Sequence, residues 1–164
     1  MIFEPRAADL DPVDVENALL RAALGDYSDE AAVLLLITSG HWLPQLQHRG
    51  LITLDGNVDG EGLWAHIAWP DLDGAVRIGT IIGRSSDRCV LQAAASIADG
   101  HPVDLGDLAA GLDRHALTLV LAAIAHAAGS HEHHHTPRAP DGLLHPGDRL
   151  PPLVPWPQPT SSDP

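Results

Sequence analysis

The chain has 164 residues, 45% of them hydrophobic and only 4% aromatic, with a formal net charge of −13 at pH 7. That length and apolar content suit one domain with a core and exclude a chain disordered throughout. The acidic balance argues against nucleic acid bound over a broad surface and against anionic membranes, while leaving a basic or cationic partner open.

With few aromatics, alanine and leucine must fill most of the core, which favours helices. All nine basic residues are arginine. The one cysteine, Cys89, can form no internal disulfide and sits in an apolar helical pattern, where a thiol is ordinarily inert. The opening "MIFEPRAADLDP" has neither the basic nor the apolar region of a signal peptide. The longest apolar stretch, Ala116 to Ala125, is too short to span a membrane, so a soluble cytoplasmic protein is expected.

In chain order, Asp11 is a good N-cap and Pro12 fits a first helical position, so a helix follows and ends near Gly25. Ser28 or Asp29 is read as the cap of a second helix, apolar all round in its middle and stopped near Gly40. Pro44 opens a short helix or turn. Leu51 to Leu54 and Leu63 to Trp69 read as two strands across a Gly/Asp/Asn turn, giving a β-hairpin near 51–69. In its second strand Trp64 and His66 share one face, and Ala65, Ile67 and Trp69 the other.

Residues 75–84 alternate through Val76, Ile78, Thr80 and Ile82 like a strand, although their glycines and a short helix keep the reading open. Ser85, Ser86 and Asp87 cap a clear helix whose wet stripe is Arg88, Gln92 and Ser96 and whose end is Gly100. A short helix lies within 101–112. Asp113 then caps the last and most apolar helix, which closes at Gly129 and belongs at the centre of the core. No repeat and no heptad array is visible. From Gly129 the composition changes, and nine of the fourteen prolines fall between Pro137 and Pro164.

The fold class expected is therefore mainly α (α+β): a bundle of about four to five helices with a small hairpin, one domain over 1–128. Residues 129–164 are expected to be a disordered His/Pro-rich tail in which Leu150 to Pro159 is the stretch able to dock locally.

Three constellations could carry function. "HEHHH" at 131–135 spells the H-E-x-x-H of zinc proteases, but Pro137 limits any helix there and no glutamate follows His135. The chemistry left to it is non-catalytic: His131, His133 and His135 point the same way in an extended chain and could hold zinc. Arg84, Ser85, Ser86 and Arg88 bring positive charge to a helix start and could take an anion, although the letters of a P-loop are missing. Trp64, Trp69 and Trp156 are aromatic anchors of the kind protein interfaces use. "DGNVDGEG" imitates a calcium loop but places His66 where the closing glutamate belongs.

No catalytic residue is assigned. The function expected is a non-enzymatic interaction or regulatory module with an unidentified protein partner. The alternatives are a metal-binding protein using the histidine cluster and a DNA-associated accessory protein, which the charge disfavours.

Overall fold

The sequence punctuation at Asp11-Pro12 sets the first helix. In the computed structural model, which describes residues 6–56, 62–136, 140–142 and 147–158, α1 spans Pro12–Ala23, and the Asp11 carboxylate accepts the Val13 N–H. α2 follows at Tyr27–Ser39. Its cap is Asp26, which accepts from the N–H groups of Ser28 and Asp29 at 2.8 and 3.2 Å, and not Ser28 or Asp29 as the sequence suggested. An aspartate one residue before the first turn meets two orphan donors at once, which a cap placed later in the chain could not do. Gly40 closes α2 in the left-handed region at φ 69°.

α3 (Leu43–His48) is the short helix opened near Pro44. The hairpin consists of β1 (Ile52–Gly56) and β2 (Leu63–Ile67), antiparallel, with Ile52 opposite Ile67 and Asp55 opposite Trp64. Ala65 and Ile67 turn inward and Trp64 and His66 outward, as the alternation requires. The second strand stops earlier than expected. Trp69 belongs instead to α4 (Trp69–Arg77), where Pro70 sits in the first turn, a position that has no N–H to lose.

The strand reading of 75–84 fails for a visible reason. Ile78 and Ile82 are 77% and 70% exposed, so their alternation faces no core, and Gly79 at φ 77° turns the chain after α4. α5 (Ser85–Asp99), α6 (Leu105–Gly111) and α7 (Arg114–Ala127) complete the set. Seven α-helices among the described residues exceed the four to five expected. Short helices carry too little periodicity to register in a sequence.

α2 lies at the centre. It contacts α5 and α7 along its length, and α1 lies against both α2 and β2. Ala31, Ala32, Leu35 and Leu36 are fully enclosed at 0% exposure, which explains why α2 is apolar on every side. Trp42 is equally buried, its Nε1–H donating to the Asp87 carbonyl at 2.7 Å. It is a core residue and not a surface anchor. Gln47 is one of two buried polar residues among the described residues; its Nε2 donates to the carbonyls of Ala7 and Leu10 at 2.9 and 2.8 Å and ties the N-terminal 3-10 turn (Ala7–Asp9) to α3. Among the described residues no helix is long and apolar enough to cross a membrane.

Candidate functional site

Three features could meet a partner or ligand. The first is a cleft of about 290 Å³ between α1, α2, β2 and the end of α5. Leu19, Ala23, Val33 and Ile67 floor it, all of them buried side chains of the core. Trp69 forms part of its wall, and Asp29, His66 and Asp99 supply its polar edge. Asp29 is presented here by the first turn of α2, where its N–H is held by Asp26 while its own carboxylate accepts no hydrogen bond from the described residues. Burial above all, then the nearby Asp26 and Asp99, push its carboxyl above the ordinary aspartate range, with His66 acting in the opposite sense. His66 itself lies 3.4 Å from Asp55 across the hairpin, and the Asp99 carboxylate is 3.0 Å from His101 Nε2.

The second feature lies where the chain turns back after α7. Gly129 is left-handed at φ 69°, and a Cβ there would lie 3.3 Å from the Tyr27 ring. The 3-10 turn Ser130–Glu132 follows. His126 Nε2 is 3.1 Å from Glu30 Oε2, and its Nδ1 faces Trp156 Nε1 at 3.5 Å. A proton on Nε2 satisfies both contacts, because the imidazole then donates to Glu30 and accepts from the indole. His131 stacks on His126 with ring centroids 4.3 Å apart, and the edge of Tyr27 closes the pair. The Nδ1 of His131 is buried and has no hydrogen-bond partner among the described residues. Residues 147–158 hold this corner: Leu150 N–H donates to the His133 carbonyl at 2.7 Å, Arg149 pairs with Glu132, and Leu153 N–H reaches Ser130 Oγ at 3.3 Å. The local docking expected around Leu150 to Pro159 is thus seen at Leu150, Leu153 and Trp156.

The third feature was not legible in the sequence. α7 buries Ala116, Leu119, Val120, Ala122, Ala123 and Ala125, yet its large apolar residues Leu117, Leu121 and Ile124 are 40%, 45% and 48% exposed. Ala128, just past the helix, is exposed on the same line. The spacing is i, i+4, i+7, i+11, one straight stripe along the helix. A helix apolar on every side gives no signal of which stripe its neighbours leave open.

The residues singled out from the sequence are dispersed. His131 is drawn into the stack on His126, whereas His133 and His135 follow it in an extended, exposed stretch paired with 148–150. Among the described residues no group of three or more His, Cys, Asp or Glu side chains is placed to hold a metal ion. The anion cluster is divided. Arg84 pairs with Asp87 at 3.4 Å, and Ser86 Oγ accepts the Asp113 N–H at 3.1 Å. Ser85 and Arg88 border a separate open groove with Arg77, Asp73 and Asp107, where two carboxylates offset the arginines. The three tryptophans sit on three elements: Trp64 is 40% exposed on the outer face of β2, Trp69 walls the cleft, and Trp156 rests against His126.

The fold and these sites define a small, mainly helical domain with a polar-edged cleft and one open helix stripe. The chain matches no protein family, no curated protein and no solved structure at a significant level.

Proposed function

We propose that the protein is a non-catalytic interaction module that works as a two-fold pair, two copies meeting along their α7 stripes. The observation that carries this reading is the apolar row Leu117, Leu121, Ile124 and Ala128, left in solvent along a helix whose other apolar residues face the core. Exposed apolar stripes of this kind mark contact surfaces.

Two properties favour a second copy as the occupant. A chain of net charge −13 repels its own copies, so they can meet only along a face free of carboxylates. α7 ("RHALTLVLAAIAHA") contains no aspartate or glutamate. The spacing also suits a two-fold. In an antiparallel pair with the axis between Leu121 and Ile124, Leu121 meets Ile124 of the other copy and Leu117 meets the small Ala128, so large side chains face small ones at the ends. The helix dipoles then oppose one another favourably. The stripe is about 16 Å long at about 1.5 Å per residue, which puts the contact at the low end of specific interfaces and makes it a weak, concentration-dependent one.

Sedimentation of the full chain tests this. Association is expected to strengthen between about 0.05 and about 0.5 M salt, because the opposing net charges are screened while the apolar contact is not. Leu121→Glu is expected to be monomeric with an unchanged circular dichroism spectrum, since Leu121 is already 45% exposed. A wild-type chain that stays monomeric in high salt at several hundred micromolar, or a Leu121→Glu variant that associates as the wild type does, overturns the proposal.

A further inference from the structure

The cleft between α1, α2, β2 and the end of α5 stands apart from the α7 stripe. We propose that it is a binding site for a small organic cation, a protonated amine or guanidinium carried on a short apolar stem.

Shape limits the size of the ligand. At about 290 Å³ the cleft lies at the lower edge of ligand pockets, enough for a short chain or a single ring. Chemistry fixes its two ends. The floor of Leu19, Ala23, Val33 and Ile67 offers nothing to a polar group and suits methylene or ring carbon. The edge offers Asp29 and Asp99, and no arginine is among the residues that line it. Arg21 of α1 is engaged elsewhere, donating through Nη1 to the Leu63 carbonyl at 2.7 Å. Trp69 lines the cleft too, and an indole ring attracts a cation placed over its face.

The state of Asp29 sets this cleft apart from a patch of surface acids. A half-buried carboxylate that receives no hydrogen bond from the described residues has lost part of its water without gaining a partner among them. Its role in the helix is limited to its N–H, so nothing in the fold consumes the carboxylate. Asp99 is partly satisfied by His101, and His66 by Asp55. An ammonium or guanidinium placed between Asp29 and Asp99 supplies the missing donors, while its stem covers the apolar floor.

The test is a titration of the full-length isotope-labelled chain with n-butylammonium chloride, followed by amide shifts at Ala22, Asp29, Ala65 and Asp99, with n-butanol as the neutral isostere. Saturable shifts at these residues with the amine, and binding at least about tenfold weaker with butanol, are expected; tenfold corresponds to loss of about one good polar contact. Asp29→Asn keeps the shape and the N–H and is expected to lose a similar factor. Ala22→Leu, which places a strong helix former at the rim, is expected to block binding while leaving the spectrum folded. A blocked lysine tripeptide run alongside separates the two sources of the chemistry: binding at least as tight as butylammonium assigns the cleft to a partner's side chain, and binding of the free amine alone assigns it to a small molecule. Equal binding of amine and alcohol, an unaffected Asp29→Asn variant, or no saturable shift with either amine or tripeptide overturns the proposal.

Discussion

Gly83 packs directly against the buried indole of Trp42, and its replacement gives a sharp energetic test. A Cβ at Gly83 would fall 2.7 Å from Cζ2 and 2.8 Å from Cη2 of Trp42, and 3.0 Å from Cβ of Asp87. The indole cannot yield, because it is 0% exposed and anchored through Nε1 to the Asp87 carbonyl. Gly83→Ala therefore overpacks a rigid site and is expected to cost about 1–3 kcal/mol. Trp42→Phe removes the hydrogen bond, worth about 1 kcal/mol, and leaves a void where the outer indole ring stood, for a total of about 2–4 kcal/mol. The atoms that Trp42→Phe deletes are the ones the new methyl would strike. The double variant should thus cost little more than Trp42→Phe alone, with a coupling energy of about 1–3 kcal/mol. Urea unfolding of the four proteins, followed by far-ultraviolet circular dichroism because a fluorophore is lost, measures the cycle. Single costs that add to within about 0.5 kcal/mol would refute the steric argument.

Two further outcomes are expected. Gln47→Leu removes both donors that hold the Ala7 and Leu10 carbonyls and should destabilise the chain by about 1–3 kcal/mol, with the earliest gain in amide exchange at Leu10; unchanged exchange there would show that the turn is held by other means. For Asp29, a carboxyl raised in the folded state binds its proton more tightly than in the unfolded chain, so its ionisation opposes folding above that raised value. Melting wild type and Asp29→Asn in parallel from pH 7 downward should therefore show the wild type gaining on the variant as pH falls through the acid range, and a constant difference would contradict the burial of this group.

The parts of the fold visible in the sequence were those written as punctuation. Asp11-Pro12, Gly40, Gly100 and Asp113 each act within one turn of their own position, so their local chemistry suffices to place a helix end. α4 was missed because the segment after it mimics a strand; only burial distinguishes an alternation that faces a core from one that faces water, and Ile78 and Ile82 face water. The cleft was out of reach for another reason. Asp29, His66 and Asp99 come from three elements far apart in sequence, and none carries a motif that announces the others. Likewise nothing in the sequence joins His126 to His131, and the turn at Gly129 brings them into a stack. Trp42 packs against a glycine about forty residues downstream, a contact that no local pattern announces.

The central position of α2 has a consequence for synthesis of the chain. Its apolar sides are covered by α5 and α7, and α7 lies nearly ninety residues later. At a translation rate of roughly 5–20 residues per second, α2 waits roughly 4–18 s after leaving the ribosome before its last partner is made. During that interval "AAVLLLI" is a bare hydrophobic segment with no amphipathic face to turn toward water. The nascent chain is thus a natural client for ribosome-associated chaperones, and slowing elongation before α7 should lower the yield of folded protein more than slowing it afterwards.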